Sequence, residues 1–321
     1  MSRPLRAILV SVMLAALHAG VAFAQDRHAV IVFGASGGEK YAADHERWEA
    51  SLTSALQERF AFSPGRIAVL SPHAPPDRRS TRENIARVLA ETAVRAAAED
   101  LVVVLLIGHG TVDAAAAKFN LPGPDLDESA WAALVRPIKA RLLFINTAAG
   151  SFPFLQRLSG PNRIVISATD SPAQRFYTVF PEHLVAALSD AAADRDKNGR
   201  LSVWELFTAV SAAVRDHYER RGQLPTERPL LDDDGDGRGS EAEVTGPDGV
   251  LARTTYVAPN PVVAEPDSVL GELLERQRRL EREAEEWKLR KDSMPLQEWE
   301  AGFERIMIEL ARVSRAIRTR S

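Results

Sequence analysis

Leu101–Ile107 reads LVVVLLI, an apolar run with no polar position in it. A strand with one wet face would alternate. An unbroken run needs cover on both faces, as a strand has inside a parallel sheet layered between helices. Other segments carry the same sign: His28–Phe33 (HAVIVF), Arg66–Leu70 (RIAVL), Arg141–Asn146 (RLLFIN) and Arg163–Ala168 (RIVISA). Helical patterns separate them. Tyr41–Phe60 sets Trp48, Leu52, Leu56 and Phe60 at i+4 spacing, and Thr81–Glu99 sets Ile85, Val88, Leu89 and Val94 on one side. Asp127–Ala140 and Phe180–Ala193 are the next helices, and Pro-rich Ser71–Arg79 is a loop. This alternation predicts an α/β fold, a doubly wound and mainly parallel sheet. Sites in such sheets form outside the carboxyl ends of the strands. Three ends are rich in small residues: Gly34–Gly38, Gly108–Gly110 and Thr147–Ser151. Gly34–Gly38 lacks the G-x-G-x-x-G spacing, which argues against a dinucleotide site.

At 321 residues the chain has room for one large domain and an appendage. A net charge of -4 gives no electrostatic drive toward nucleic acid or anionic lipid. The chain has no cysteine, which excludes disulfides, thiolate metal sites and a thiol nucleophile together. At the N-terminus, Arg3 and Arg6 precede a weakly apolar run, Ala7–Ala24, that ends in Ala22, Phe23 and Ala24 before Gln25. Residues 1–24 thus read as a secretory signal peptide, cleaved rather than kept as an anchor, and predict a periplasmic or extracellular protein. No later segment is long and apolar enough to span a bilayer.

If the third and fourth strands are neighbours, their ends bring His109 close to Ala148. A thiol peptidase needs that layout, with a His beside the nucleophile and small residues opening the loop to the substrate backbone. Gly108-His109-Gly110 after a buried strand, then an apolar strand ending in Asn146–Ser151, resembles the caspase/legumain-like cysteine peptidases (clan CD, peptidase C13-type). The likeness runs over His28–Leu188 and is that of a bacterial exported member without its cysteine. It implies that His109 stands at the dyad histidine and Ala148 at the nucleophile. Alanine has no lone pair, so covalent catalysis from that position is excluded. Legumain-type enzymes also hold the substrate's P1 side chain with an arginine shortly after the first strand, where this chain has Ala42 and Ala43. The expectation is a catalytically inactive scaffold that holds a protein or peptide partner in the old cleft. The alternative is a hydrolase using His109 with a non-cysteine nucleophile such as Ser151. Thr147 is the other flanking hydroxyl, and neither occupies the nucleophile's position.

Asp194–Glu205 fits a twelve-residue EF-hand loop. Asp194, Asp196 and Asn198 fill positions 1, 3 and 5, Gly199 position 6 and Glu205 the bidentate position 12. Arg200 offers its backbone carbonyl and Ser202 stands at position 9. Phe180–Ala193 and Val203–Arg220 are the entering and leaving helices. A second Asp-rich loop repeats the spacing with Asp232, Asp234, Asp236, Ser240 and Glu243, but follows Pro225 and Pro229 with no entering helix. Both predict structural Ca²⁺.

Residues 251–266 read as a linker. Beyond it, Leu270, Leu273, Leu280, Ala284 and Trp287, then Leu296, Trp299, Phe303, Ile306, Leu310, Val313 and Ile317, repeat at 3–4 spacing around Pro295. That pattern predicts an antiparallel, coiled-coil-like hairpin over 267–321, able to clasp its own domain or to join a second copy. The expected organisation is therefore a signal peptide (1–24), a caspase/legumain-like α/β domain (25–190), the calcium loops with their helix (191–250), the linker and the hairpin.

Overall fold

The apolar runs form strands over nearly the residues the pattern marks. The computed structural model describes residues 25–114, 116–244, 246–258 and 268–319; the expected signal peptide (1–24) and the 259–266 part of the expected linker lie outside the described residues. In chain order the elements are β1 (Arg27–Phe33), α1 (Glu39–Ser54), β2 (Ile67–Leu70), α2 (Arg82–Arg95), β3 (Leu101–Ile107), β4 (Gly110–Val112), β5 (Ala117–Phe119), β6 (Leu126–Asp127) and α3 (Glu128–Val135). There follow β7 (Arg141–Asn146), α4 (Phe152–Leu158), β8 (Arg163–Ser167), α5 (Phe180–Ser189), α6 (Val203–Glu219), β9 (Leu230–Asp232), α7 (Val250–Arg253), α8 (Ser268–Leu289) and α9 (Leu296–Arg318).

The main sheet has six strands in the order β2-β1-β3-β7-β8-β9. All pairs are parallel except β8 with β9. Successive residues of each central strand face opposite sides and are buried on both. Ala29, Ile31 and Phe33 meet Trp48 and Leu52 of α1 together with α5 and α6. Val30 and Val32 meet Ile85 and Leu89 of α2, and α3 and α4 cover the same face. The protein is thus an α/β fold with helices on both faces of a mainly parallel sheet. Because β1 sends the chain to β2 on one side and β3 lies on its other side, the order switches between β1 and β3, and sites in such sheets form in the crevice outside the strand ends at that switch.

Side-chain caps fix the helix starts. Thr81 accepts from Asn84 N at 3.3 Å and Asp127 from Ala130 N at 2.7 Å, each satisfying an N–H with no partner inside its helix. Val94 does not share the apolar side with Ile85 and Leu89. It is 87% exposed, one residue before α2 ends at Arg95.

Three elements differ from the sequence reading. A small antiparallel sheet, β4-β5-β6, rises directly after His109. The predicted linker starts too early: Val250–Arg253 is helical, and Ala252 and Val257 are buried in the main core. Nor do residues 191–250 stand apart, since β9 completes the main sheet and α6 covers it.

The hairpin forms as the spacing predicts, with Leu280 and Ala284 packed against Ile306 and Val313. Leu296, taken for a seam residue, is exposed. At the turn Trp287 donates Nε1–H to Trp299 O at 3.0 Å, and Trp299 donates Nε1–H to Trp287 O at 2.8 Å. Among the described residues no helix is long and apolar enough to cross a membrane.

Candidate functional site

β3 and β7 pair in register through Leu106 and Asn146, so Gly108–Gly110 and Thr147–Ala149 leave the sheet side by side. The two ends touch closely: a Cβ built on Gly110 would lie 2.2 Å from Ala149 O and 3.3 Å from the Ala148 Cβ. Glycine is required there by close approach. Ala148 is 1% exposed, and its N–H goes to Asn146 Oδ1 at 3.0 Å.

His109 lies at the switch crevice beneath the loop that follows β1. Its Nε2 meets Ser36 O at 2.9 Å. A carbonyl only accepts, so the ring donates its Nε2–H there. Gly37, at φ 73°, passes so near that a Cβ would stand 3.0 Å from Nε2. Two tyrosines close over the imidazole. Tyr41 meets it edge-on at 4.9 Å and Tyr177 at 5.1 Å, and the two phenol rings lie 4.5 Å apart.

Below them sit buried polar groups that sequence reasoning missed. His45 is 5% exposed between Phe33 and Trp48. Neither of its ring nitrogens has a hydrogen-bond partner among the described residues. Burial, then the nearby His109, lowers its pKa to about 4, so it is neutral at ordinary pH. Burial also raises the pKa of Tyr177, whose hydroxyl is unpaired as well. Within an apparent α1 core stripe, no periodic signal separates His45 from Trp48.

Ser151 faces elsewhere. It is fully buried, and its Oγ accepts from Ala168 N at 3.0 Å and Thr169 N at 3.2 Å and bonds Thr169 Oγ1 at 3.1 Å. The hydroxyl bolts the start of α4 to the end of β8, a role opposite to that of an exposed nucleophile. Thr147 is likewise committed, donating Oγ1–H to Leu106 O at 2.8 Å.

Glu227 is a further buried acid. Its carboxylate accepts from Val179 N at 2.7 Å and Phe180 N at 3.2 Å, at the start of α5, and from the Tyr218 hydroxyl at 3.0 Å. Burial raises its pKa from 4.5 to about 7. The native state therefore holds the proton more tightly than the unfolded chain. The stability this gives is full below pH 4.5 and is lost as pH rises through about 7. Glu227→Gln should flatten that limb in urea melts between pH 5 and pH 8, removing a slope worth up to about 3 kcal/mol.

The two acidic loops gather their carboxylates. In the first, Asp194, Asp196 and Glu205 bring one oxygen each within 4.8 Å of one another. The Asp194 carboxylate accepts from Gly199 N at 2.8 Å and the Glu205 Oε1 from Arg195 N at 3.0 Å. Ser202 donates Oγ–H to Glu205 Oε2 at 2.7 Å, accepts from Glu205 N, and so caps α6. In this way position 9 and position 12 are tied before any ion is considered. Asn198 and Arg200 stay on the loop beside them, with Arg200 N donating to Asn198 Oδ1 at 2.8 Å.

The second loop closes differently from the sequence reading. Its group is Asp232, Asp234 and Asp248. Glu243, expected at position 12, instead pairs with Arg215 of α6. Asp236 accepts from Arg238 N at 2.8 Å. Ser240 donates to Asp248 Oδ2 at 2.7 Å, and Asp248 Oδ1 accepts from Asp233 N at 3.0 Å. Asp232, Asp233 and Asp248 are all buried. Burial raises the pKa of all three, Asp233 to about 6. Buried carboxylates that crowd together ask for a cation. Both groups present carboxylate and other oxygen donors, with no imidazole or thiolate, which is the chemistry of a hard divalent ion.

Fold and site together define an α/β protein with a histidine at the switch crevice and two acidic loops able to hold metal. No protein-family model matches the chain, and no curated protein matches it. Among solved structures it is similar to the crystal structure of protein GSU0716 from Geobacter sulfurreducens, at a TM-score of 0.43 and 14% identity over 64% of this chain and 92% of that one. So distant a likeness says nothing about activity.

Proposed function

We propose that this chain is a non-catalytic binding or scaffold protein of the cell envelope, built on a caspase/legumain-like (peptidase C13-type) domain and stabilised by calcium. One observation carries this reading. The position that the resemblance assigns to the nucleophile is Ala148, sealed at 1% exposure, beside a histidine whose Nε2–H is given to Ser36 O under two tyrosines. An imidazole so placed has no nucleophile to deprotonate. The hydrolase alternative draws no support from Ser151, whose hydroxyl is spent on the β8 end. The crevice between the β1 and β3 ends is the place for a peptide held without being cut. Export follows from residues 1–24, and the hairpin offers a face for a second copy.

Calcium would be held in the first loop by Asp194, Asp196, Asn198, the Arg200 carbonyl, Ser202 and Glu205, and in the second by Asp232, Asp234 and Asp248. When bound it supplies charge neutralisation and loop order. The residues themselves cap α6, pin β9 to the sheet edge and orient the return of the chain toward α7.

The purified protein should hydrolyse no member of a diverse peptide and ester panel. Turnover that disappears in His109→Ala would overturn the proposal. Ala148→Cys should also remain inactive and should alkylate slowly, because the side chain is sealed from solvent. Cleavage by that variant would mean that the crevice opens to substrate.

A further inference from the structure

The hairpin and the first acidic loop meet. The seam of the hairpin is self-contained: its core cluster includes no residue of the α/β body. Its attachment is polar instead. On the body side, the second half of the loop pairs with the chain that leaves α7. Val203 N donates to Thr255 O at 2.8 Å, and Val257 N donates to Leu201 O at 2.9 Å, with Ser202 opposite Tyr256. The Arg200 guanidinium lies 3.5 Å over the Tyr256 ring, and that of Arg253 lies 3.9 Å over the Trp204 ring.

On the hairpin side, α8 brings Glu285 to Arg253, with Nε and Oε2 3.3 Å apart. Glu281 faces the same patch: burial raises its pKa, Arg200 and Arg278 oppose that rise, and Asp196 adds to it. Between loop and hairpin remains a cavity of about 730 Å³, whose charged lining is Arg195, Asp196 and Glu205 of the loop, Arg253 of the return segment, and Glu281, Glu285 and Lys288 of α8. The interface is therefore partly hollow and charged on both sides, with acids and bases on the loop and on α8 alike.

We propose that cation occupancy of the Asp194–Glu205 loop controls docking of the C-terminal hairpin. The inference rests on the calcium reading of that loop. Two effects act in the same direction. A divalent ion cancels carboxylate charge that otherwise repels Glu281 and Glu285 across the cavity. It also fixes the turn that sets Arg200, Leu201 and Ser202 against Tyr256, and with them the platform on which α8 rests. An empty loop leaves Asp194, Asp196 and Glu205 crowded on one another and leaves that platform free to shift. Linkage makes the coupling reciprocal, so an undocked hairpin weakens ion binding by the same factor.

The absence of native cysteine allows a clean test on the full chain. Spin labels at Gln57→Cys and Glu300→Cys, both exposed positions, report the distance between the body and the hairpin. Calorimetry with calcium alone reports binding separately. Calcium should collapse a broad distance distribution to one narrow population, and chelator should restore the breadth. Glu205→Gln should abolish the narrowing. Arg253→Glu, which sets like charge against Glu285, should undock the hairpin and weaken calcium binding at this loop about 5- to 100-fold. Calcium binding with unchanged distance distributions would overturn the coupling while leaving the calcium reading in place. Absence of binding by calorimetry would overturn both.

Discussion

In about 10 mM calcium the chain should melt about 5–10 °C higher than in chelator for each loop that binds, given an extracellular-type dissociation constant near 10⁻⁴ M. At a hundredfold excess over that constant, an ion that binds only the native state adds about 2.7 kcal/mol, and each kcal/mol is worth about 2–4 °C for a domain of this size. Point variants separate the loops. Glu205→Gln should remove the share of the first loop. Asp248→Asn should remove that of the second, because Asp248 stands with Asp232 and Asp234. Glu243→Gln should leave the calcium response intact, since Glu243 is turned toward Arg215. A spacing-based ligand set would give the reverse result for the last two. Identical melting curves with and without chelator would count against both loops.

Ser151→Ala should destabilise the fold by about 1–3 kcal/mol, read as a lower urea midpoint with an unchanged slope. The serine oxygen accepts from two buried N–H groups, Ala168 and Thr169, at the point where β8 ends. Removing it leaves the Thr169 N–H without a partner in a site that excludes water, at about 1–3 kcal/mol for an unsatisfied group, while the Ala168 N–H keeps Asn146 O at 3.1 Å. Thr169 Oγ1, which bonds the same oxygen, can recover only part of that loss. An activated nucleophile would behave differently, because its loss would cost activity and leave stability nearly unchanged. Ser151→Cys, which keeps a weak acceptor of larger radius, should be intermediate. A Ser151→Ala protein with the wild-type midpoint would refute the structural role.

The strands were legible because the core imposes one rule on every residue. LVVVLLI and RLLFIN have to be apolar on both faces, and they occupy β3 and β7 end to end. The hairpin was legible for a similar reason, since Leu280, Ala284, Ile306 and Val313 recur at the spacing that faces a partner helix. What stayed hidden is what tertiary contact decides. Gly110–Val112 and Ala117–Phe119 are too short to declare a sheet, and their pairing depends on Phe119 packing edge-on against Trp131. Leu230–Asp232 becomes a strand only because β8 offers an unpaired edge. Asp248 enters the second acidic group fifteen residues beyond its neighbour Asp233, so no local motif can announce it. Of the candidate site, the His109 and Ala148 strand ends could be read from the sequence. Tyr41 and Tyr177, which close over His109, come from opposite ends of the domain and have no shared pattern.

The one antiparallel strand of the main sheet has a bearing on how this chain would fail. β9 covers β8 through a register of three residues, Leu230–Asp232, and the last of them belongs to the second acidic loop. If that loop loosens when cation is scarce, the flank of β8 loses its cover. A bare row of backbone donors and acceptors along Val165–Ser167 is a template for another chain. Cation supply would then set shelf life and solubility as well as melting point, and the first sign of depletion would be intermolecular strand addition along one border of an otherwise intact fold.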